Sequence, residues 1–176
     1  MKKLFFLVVL LLIQNISAYS KENFILKSSV FENNSFIPKE YTCDGKDISL
    51  PLLWSVPDST KSFALICDDP DAPMGTWVHW VIYNIPLEVN ELKENIPHDE
   101  ILSNGTKQGI NDFKKIGYGG PCPPSGTHKY FFKLYALDSK LNLTGKVTKE
   151  KLLDEMKGHV LEQTELVGKY RRTVTE

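Results

Sequence analysis

Apolar positions along this chain fall into short blocks separated by turn residues. The clearest blocks are Phe24 to Phe31, Phe63 to Cys67, Trp77 to Ile85 and Tyr130 to Leu137. Their β-branched and aromatic content, with Pro, Gly, Asn and Asp in the intervals, reads as strands joined by turns. Phe63-Ala64-Leu65-Ile66-Cys67 is continuously apolar, the pattern of a buried strand. In the third block a period of two places Trp77, His79, Val81 and Tyr83 on one face and Val78, Trp80 and Ile82 on the other. In the fourth, His128 leads onto the face of Tyr130, Phe132, Leu134 and Ala136.

Few positions remain for helix. Thr148 is a candidate N-cap, followed by an apolar stripe of Leu152, Leu153 and Met156. Gly158 interrupts that stripe, and a second short helical piece is expected from His159 to Gln163. The segment Glu88 to Phe113 is polar, contains Asn95-Ile96-Pro97, Asn104-Gly105 and Gly109, and reads as a long surface excursion between two core strands. The resulting expectation is a mainly β, antiparallel chain with a little helix near the C-terminus. No internal repeat or low-complexity tract divides it, so residues 21–176 are read as one domain.

The 176 residues are enough for a sizeable core, and 41% hydrophobic with 24% charged residues is ordinary for a globular protein. A formal net charge of -1 gives no footprint for nucleic acid, and no such partner is expected. Lys2 and Lys3 precede an apolar run, Leu4 to Ile13, which is short for a bilayer span, and the small residues Ser17, Ala18 and Ser20 follow. That order describes a secretory signal peptide over residues 1–20, cleaved after Ala18 or Ser20. The mature chain is therefore expected to be periplasmic or secreted and to lack an integral membrane span. Export makes a disulfide a reasonable default. Cys67 sits in the buried strand, whereas Cys43 and Cys122 lie in turn-rich segments and are the expected pair, although spacing alone does not fix connectivity.

Two segments hold the candidate chemistry. One runs from Asp68 to Trp80 through Asp69-Pro70-Asp71-Ala72-Pro73, the other from Gly117 to Tyr130 through Gly119-Gly120-Pro121-Cys122-Pro123-Pro124. Each sets a stiff Pro/Gly turn against a strand carrying one histidine, His79 or His128. Two imidazoles, two carboxylates and two rigid rims suggest a small pocket for an anion or a phosphorylated head group. An imidazole can donate to a phosphate oxygen, and the Tyr130 hydroxyl could serve the same anion. One of Asp69 and Asp71 is expected to cap its turn while the other faces the cavity. His98 and His159 read as structural. No Gly-x-Ser-x-Gly elbow, P-loop, dinucleotide fingerprint, HExxH or zinc spacing occurs. No catalytic residue, metal or cofactor is expected; binding is the leading reading. Behind it stand a protein-directed modulator working through the segment Glu88 to Phe113, and a weak hydrolase using a His/Asp pair.

The motifs Asp69-Pro70-Asp71-Ala72-Pro73, Thr76-Trp77-Val78-His79-Trp80 and Gly117 to Pro124 resemble the phosphatidylethanolamine-binding protein family, and more closely its bacterial Raf-kinase-inhibitor-like branch. Tyr41 to Gly45, His128 to Tyr130, Tyr135 to Asp138 and Gly158-His159 extend the match from about Phe24 to Tyr170. The resemblance implies a Greek-key β-sandwich of two antiparallel sheets with short C-terminal helices, and an anion site at one end of it. Carried over, Asp69, His79, Gly120, Pro121, His128 and Tyr130 line that site, Asp71 and Pro73 form its rim, and Ala72–Pro73 is a candidate cis peptide. The chain departs from the family pattern at Ser49-Leu50-Pro51-Leu52, at Lys114 where glycine is common after the phenylalanine, and at Lys129 where arginine is frequent.

Overall fold

The computed structural model describes residues 23–172; the expected signal peptide lies outside the described residues. In chain order the strands are β1 (Leu26–Lys27), β2 (Leu52–Trp54), β3 (Ser62–Asp69), β4 (Trp77–Pro86), β5 (Glu91–Leu92), β6 (Lys107–Gln108), β7 (His128–Leu137) and β8 (Val160–Tyr170). One α-helix, α1 (Lys149–Glu155), separates β7 from β8. The strands form a small antiparallel sheet, β1-β2-β5, and a large one, β6-β4-β3-β7-β8. The expected mainly β sandwich of two antiparallel sheets is thus the architecture.

All eight residues of β3 are buried because both faces of the large sheet are covered. Phe63, Leu65 and Cys67 project between the sheets, with Trp80, Phe132, Leu134 and the small-sheet residues Leu26, Leu52, Trp54 and Leu92. Ala64 and Ile66 project to the opposite face, under Leu141, Leu143, Val147 and the α1 residue Leu152. A strand sandwiched in this way has no polar face, which is why its sequence does not alternate.

β4 departs from the expected alternation. Cys67 pairs with Trp80 and Asp68 with Val78, so His79 is an extra residue on β4, a β-bulge. A second irregularity lies between the pairs Phe63↔Ile85 and Leu65↔Ile82, where Asn84 takes φ 54°. Val78 consequently joins Val81 and Tyr83 on the α1 side, while Trp80, Ile82 and Ile85 face the small sheet. The period-two assignment of Val78 with Trp80, and of His79 with Val81, is corrected accordingly.

Two further expectations change. His159 to Gln163 is not helical; Val160 begins β8, which pairs with β7 along its whole length. The Glu88 to Phe113 segment is mostly exposed, as expected of a surface excursion, but it also supplies β5 and β6 and buries Leu92, Thr106, Gln108 and Asn111. Gln108 makes that burial possible. Its Oε1 accepts from Trp80 Nε1 at 2.8 Å, and its Nε2 donates to the carbonyls of Pro97 and Asp99 at 2.7 and 2.8 Å. One amide thereby pairs two carbonyls of this segment and the indole N–H of β4.

The helix starts where expected, with the Thr148 hydroxyl accepting from the Lys151 N–H and with Leu152 and Met156 buried. Cys43 and Cys122 form the disulfide, Cα atoms 5.4 Å apart, and Cys67 is free and buried. Among the described residues, no helix is long and apolar enough to cross a membrane.

Candidate ligand-binding site

β3 runs antiparallel to both of its neighbours, so its C-terminal end meets the N-terminal ends of β4 and β7. Asp69, His79 and His128 come together there, on the floor of a cavity of about 230 Å³. Its walls are Ala72, Pro73, Met74, Trp77, Phe113, Cys122, Pro123 and Pro124, an apolar collar around a small polar floor.

Asp69 is almost fully buried, with 3% of its surface exposed. Its Oδ1 accepts the Asp71 N–H at 2.8 Å and its Oδ2 lies 2.7 Å from His128 Nδ1. A carboxylate only accepts, so Nδ1 carries the hydrogen and Nε2 is the free ring nitrogen. His79 is fixed likewise. Its Nδ1 donates to the Gly119 carbonyl at 2.7 Å, while the Gly119 N–H donates to the His79 carbonyl at 2.9 Å. Burial pushes the His79 imidazole below its ordinary pKa, opposed by the Gly119 carbonyl and the charge of Asp69. The ring is therefore neutral at neutral pH and shows a lone pair at Nε2.

Tyr130 is fully buried and stands behind His79, the ring centroids 5.1 Å apart at 87°. It does not line the cavity. Its hydroxyl has no aligned hydrogen-bond partner, although the Asp69 carboxylate and Cys122 backbone lie close enough to act on its ionisation. Burial, reinforced by the charge of Asp69, pushes its pKa far above the usual phenol value, so it keeps its proton.

The remaining expected residues build the walls from behind. The Gly120 N–H donates to Asp47 Oδ1 at 2.7 Å, and a Cβ at residue 120 would sit 2.6 Å from that oxygen. Only glycine permits so close an approach. The Pro121 carbonyl accepts from the Cys43 N–H beside the disulfide. Asp71 braces the rim, its Oδ2 accepting the Lys129 N–H at 2.9 Å. Pro73 lines the cavity, but the expected cis bond is corrected: no cis peptide occurs among the described residues. The turn closes instead through Gly75, whose φ of 99° lets its N–H reach the Ala72 carbonyl at 3.1 Å.

Sequence reasoning missed Trp77 and Phe113 as walls. The Phe113 ring lies 5.4 Å from Trp77 and 5.3 Å from His79, edge-on to both. It is held there because Asp112 clamps the start of β4. Asp112 Oδ2 accepts the Val78 N–H at 2.7 Å, and the Asp112 N–H donates to the Val78 carbonyl at 2.9 Å. The departure at Lys114 also acquires a meaning, since this residue takes φ 64°, a conformation that favours glycine.

A family model described as phosphatidylethanolamine-binding protein matches residues 27–171. A UPF0098 protein of Methanothermobacter thermautotrophicus is 54% identical over 148 residues, covering 84% of this chain and 98% of that protein. A second UPF0098 protein, from Aquifex aeolicus, is 48% identical over 167 residues, covering 92% of this chain and 97% of that protein. Among solved structures, a putative phosphatidylethanolamine-binding protein homologue from Chlamydia trachomatis matches with a TM-score of 0.78 at 42% identity, covering 84% of this chain and 97% of its own. YbcL of E. coli, described as a member of the mammalian family of the same name, matches with a TM-score of 0.79 at 32% identity, covering 85% and 99%.

Proposed function

The chain belongs to the phosphatidylethanolamine-binding protein family, and on that premise we propose that it is an exported binding protein whose pocket holds the phosphate or carboxylate end of a small ligand. The observation that carries this reading is the pair of imidazoles on one cavity floor, each with Nδ1 locked by an acceptor in the wall. Locked rings present Nε2 in a fixed direction, the preorganisation a small polar ligand needs. The apolar collar lowers the polarity around the floor and so strengthens each polar contact made there. At about 230 Å³ the cavity falls short of the roughly 300–1,000 Å³ usual for drug-sized ligands, which favours an occupant of head-group size.

Binding is favoured over covalent catalysis by the lining itself. It contains no serine, threonine or lysine, and its one cysteine is held in the disulfide. Export is supported by the Lys2-Lys3 start and apolar run of the sequence, together with a disulfide that suits an oxidising compartment.

Titration with phosphate, phosphoethanolamine and acetate, followed by calorimetry and by NMR of the histidine rings, tests the reading. Saturable heat with movement of the His79 and His128 resonances is expected. If saturating anion leaves both rings unmoved, this pocket is not the binding site.

A further inference from the structure

The donor inventory of this pocket is unusual for a site that takes an anion. No lysine or arginine lines the cavity, and the one charged residue on its floor, Asp69, is an acid. His79 has already committed its Nδ1–H to the Gly119 carbonyl at 2.7 Å. A neutral His79 can therefore meet a ligand only with the Nε2 lone pair, and an unprotonated oxyanion also offers only lone pairs. Acceptor would face acceptor.

We propose that the pocket binds its oxyanion together with one proton, taken up from solvent on Nε2 of His79. The inference rests on the anion-binding reading above and states its stoichiometry. One neutral imidazole, one proton and one anion give an imidazolium–anion pair; no covalent bond forms, and the proton comes from the buffer. Uptake turns Nε2 into a charge-assisted donor while Nδ1 keeps its place in the wall.

The groups facing His79 fit such a poised ring. From β3 comes the Asp69 carboxylate, shared with His128 of β7; β7 also supplies the protonated Tyr130. From the adjoining segments come the Gly119 and Gly120 carbonyls, the uncharged Phe113 ring, and Asp47, whose carboxylate is engaged by the Gly120 N–H. Both carboxylates and both carbonyls favour imidazolium, whereas burial disfavours it and prevails in the empty pocket. An anion at Nε2 adds the missing favourable charge and tips the balance.

Sulfate is the discriminating probe, because near neutral pH it has no proton of its own to release or gain. Calorimetry in buffers of different ionisation enthalpy counts the protons taken up per sulfate. About one is expected at pH above the ordinary imidazole range, with affinity rising about tenfold for each pH unit lowered toward that range. NMR of the His79 ring at fixed pH is expected to move from neutral to imidazolium shifts on saturation, a readout that needs no variant. The His79→Gln protein, which offers an amide donor at every pH, is expected to bind sulfate without proton uptake.

Sulfate binding with no proton uptake and a flat pH profile overturns the inference while leaving the anion pocket standing. So does uptake with the His79 ring unchanged. Occupation of the pocket by ethylammonium in preference to sulfate overturns the anion-binding reading and this inference together. If neither sulfate, phosphate nor acetate binds at any pH, the anion-binding reading falls and takes this inference with it.

Discussion

Asp68 and Asp69 are neighbours on β3 and both are buried, yet they serve opposite faces of the sheet. Asp68 faces the α1 side, where Lys133 of β7 approaches at 2.8 Å and Lys149, the first residue of α1, closes a second ion pair. Asp69 faces the gap between the sheets and meets His128 and the Asp71 N–H. Asp68 is answered by two fixed cations, so the cluster anchors the helix and keeps nothing in reserve. Asp69 is answered by an imidazole that spends one ring nitrogen on the carboxylate and lines the cavity with the rest of its ring. A buried acid backed by lysines is an anchor; one backed by a histidine leaves directional chemistry at a cavity.

The sharpest way to break this contrast is to remove each charge in turn. Asp68→Asn leaves Lys133 and Lys149 without their counter-charge. A loss of about 2–3 kcal/mol is expected in urea unfolding, below the full buried-pair figure because both lysines reach water. Its anion affinity should stay within about twofold of the parent, since the two faces share no contact chemistry. A parallel collapse of binding would show that the faces are coupled.

A smaller stability effect and a larger functional one are expected from Asp69→Asn. Loss of the charge-assisted bond to His128 costs about 1–2 kcal/mol. Anion affinity by calorimetry should fall about tenfold, because the amide keeps one acceptor oxygen for two donors, the Asp71 N–H and His128 Nδ1–H, and the His128 ring is held less firmly. Tighter binding would mean that Asp69 repels the ligand more than it orients His128.

The smallest effect concerns the loop that holds Phe113 over His79. Lys114→Gly removes a side chain from a residue at φ 64° and should stabilise the protein by about 0.5–1 kcal/mol. Thermal unfolding should show a Tm higher by about 2 °C, with anion affinity unchanged. Weaker binding would instead give the Lys114 ammonium a part at the pocket mouth.

Legibility differed from element to element. The stretch of β3 from Phe63 to Cys67 could be read directly, because burial on both faces leaves it continuously apolar. β8 could not. Its first half carries Glu162, Gln163, Thr164 and Glu165, an unremarkable polar stretch that becomes a strand by pairing with Glu165↔Lys133 to Ala136↔Glu162 of β7. The segment around β6 looked like loop because its burial depends on one glutamine reaching Trp80, Pro97 and Asp99 at once. Within the site, Asp69, His79 and His128 stood out by their Pro/Gly surroundings. Phe113 did not, since its place beside His79 comes from the long-range clamp between Asp112 and Val78.

By itself the sequence determined that the Phe63 to Cys67 strand is buried on both faces and that stiff Pro/Gly turns stand beside His79 and His128, both properties of local composition and period. Only the tertiary structure decided which way those side chains face. The extra residue at His79 turns its ring away from Val81 and toward Tyr130 and the cavity, while Val78 goes to the α1 side. Such a bulge is a feature of register between β3 and β4, and register is chosen by the packing of the whole sandwich rather than by any one strand.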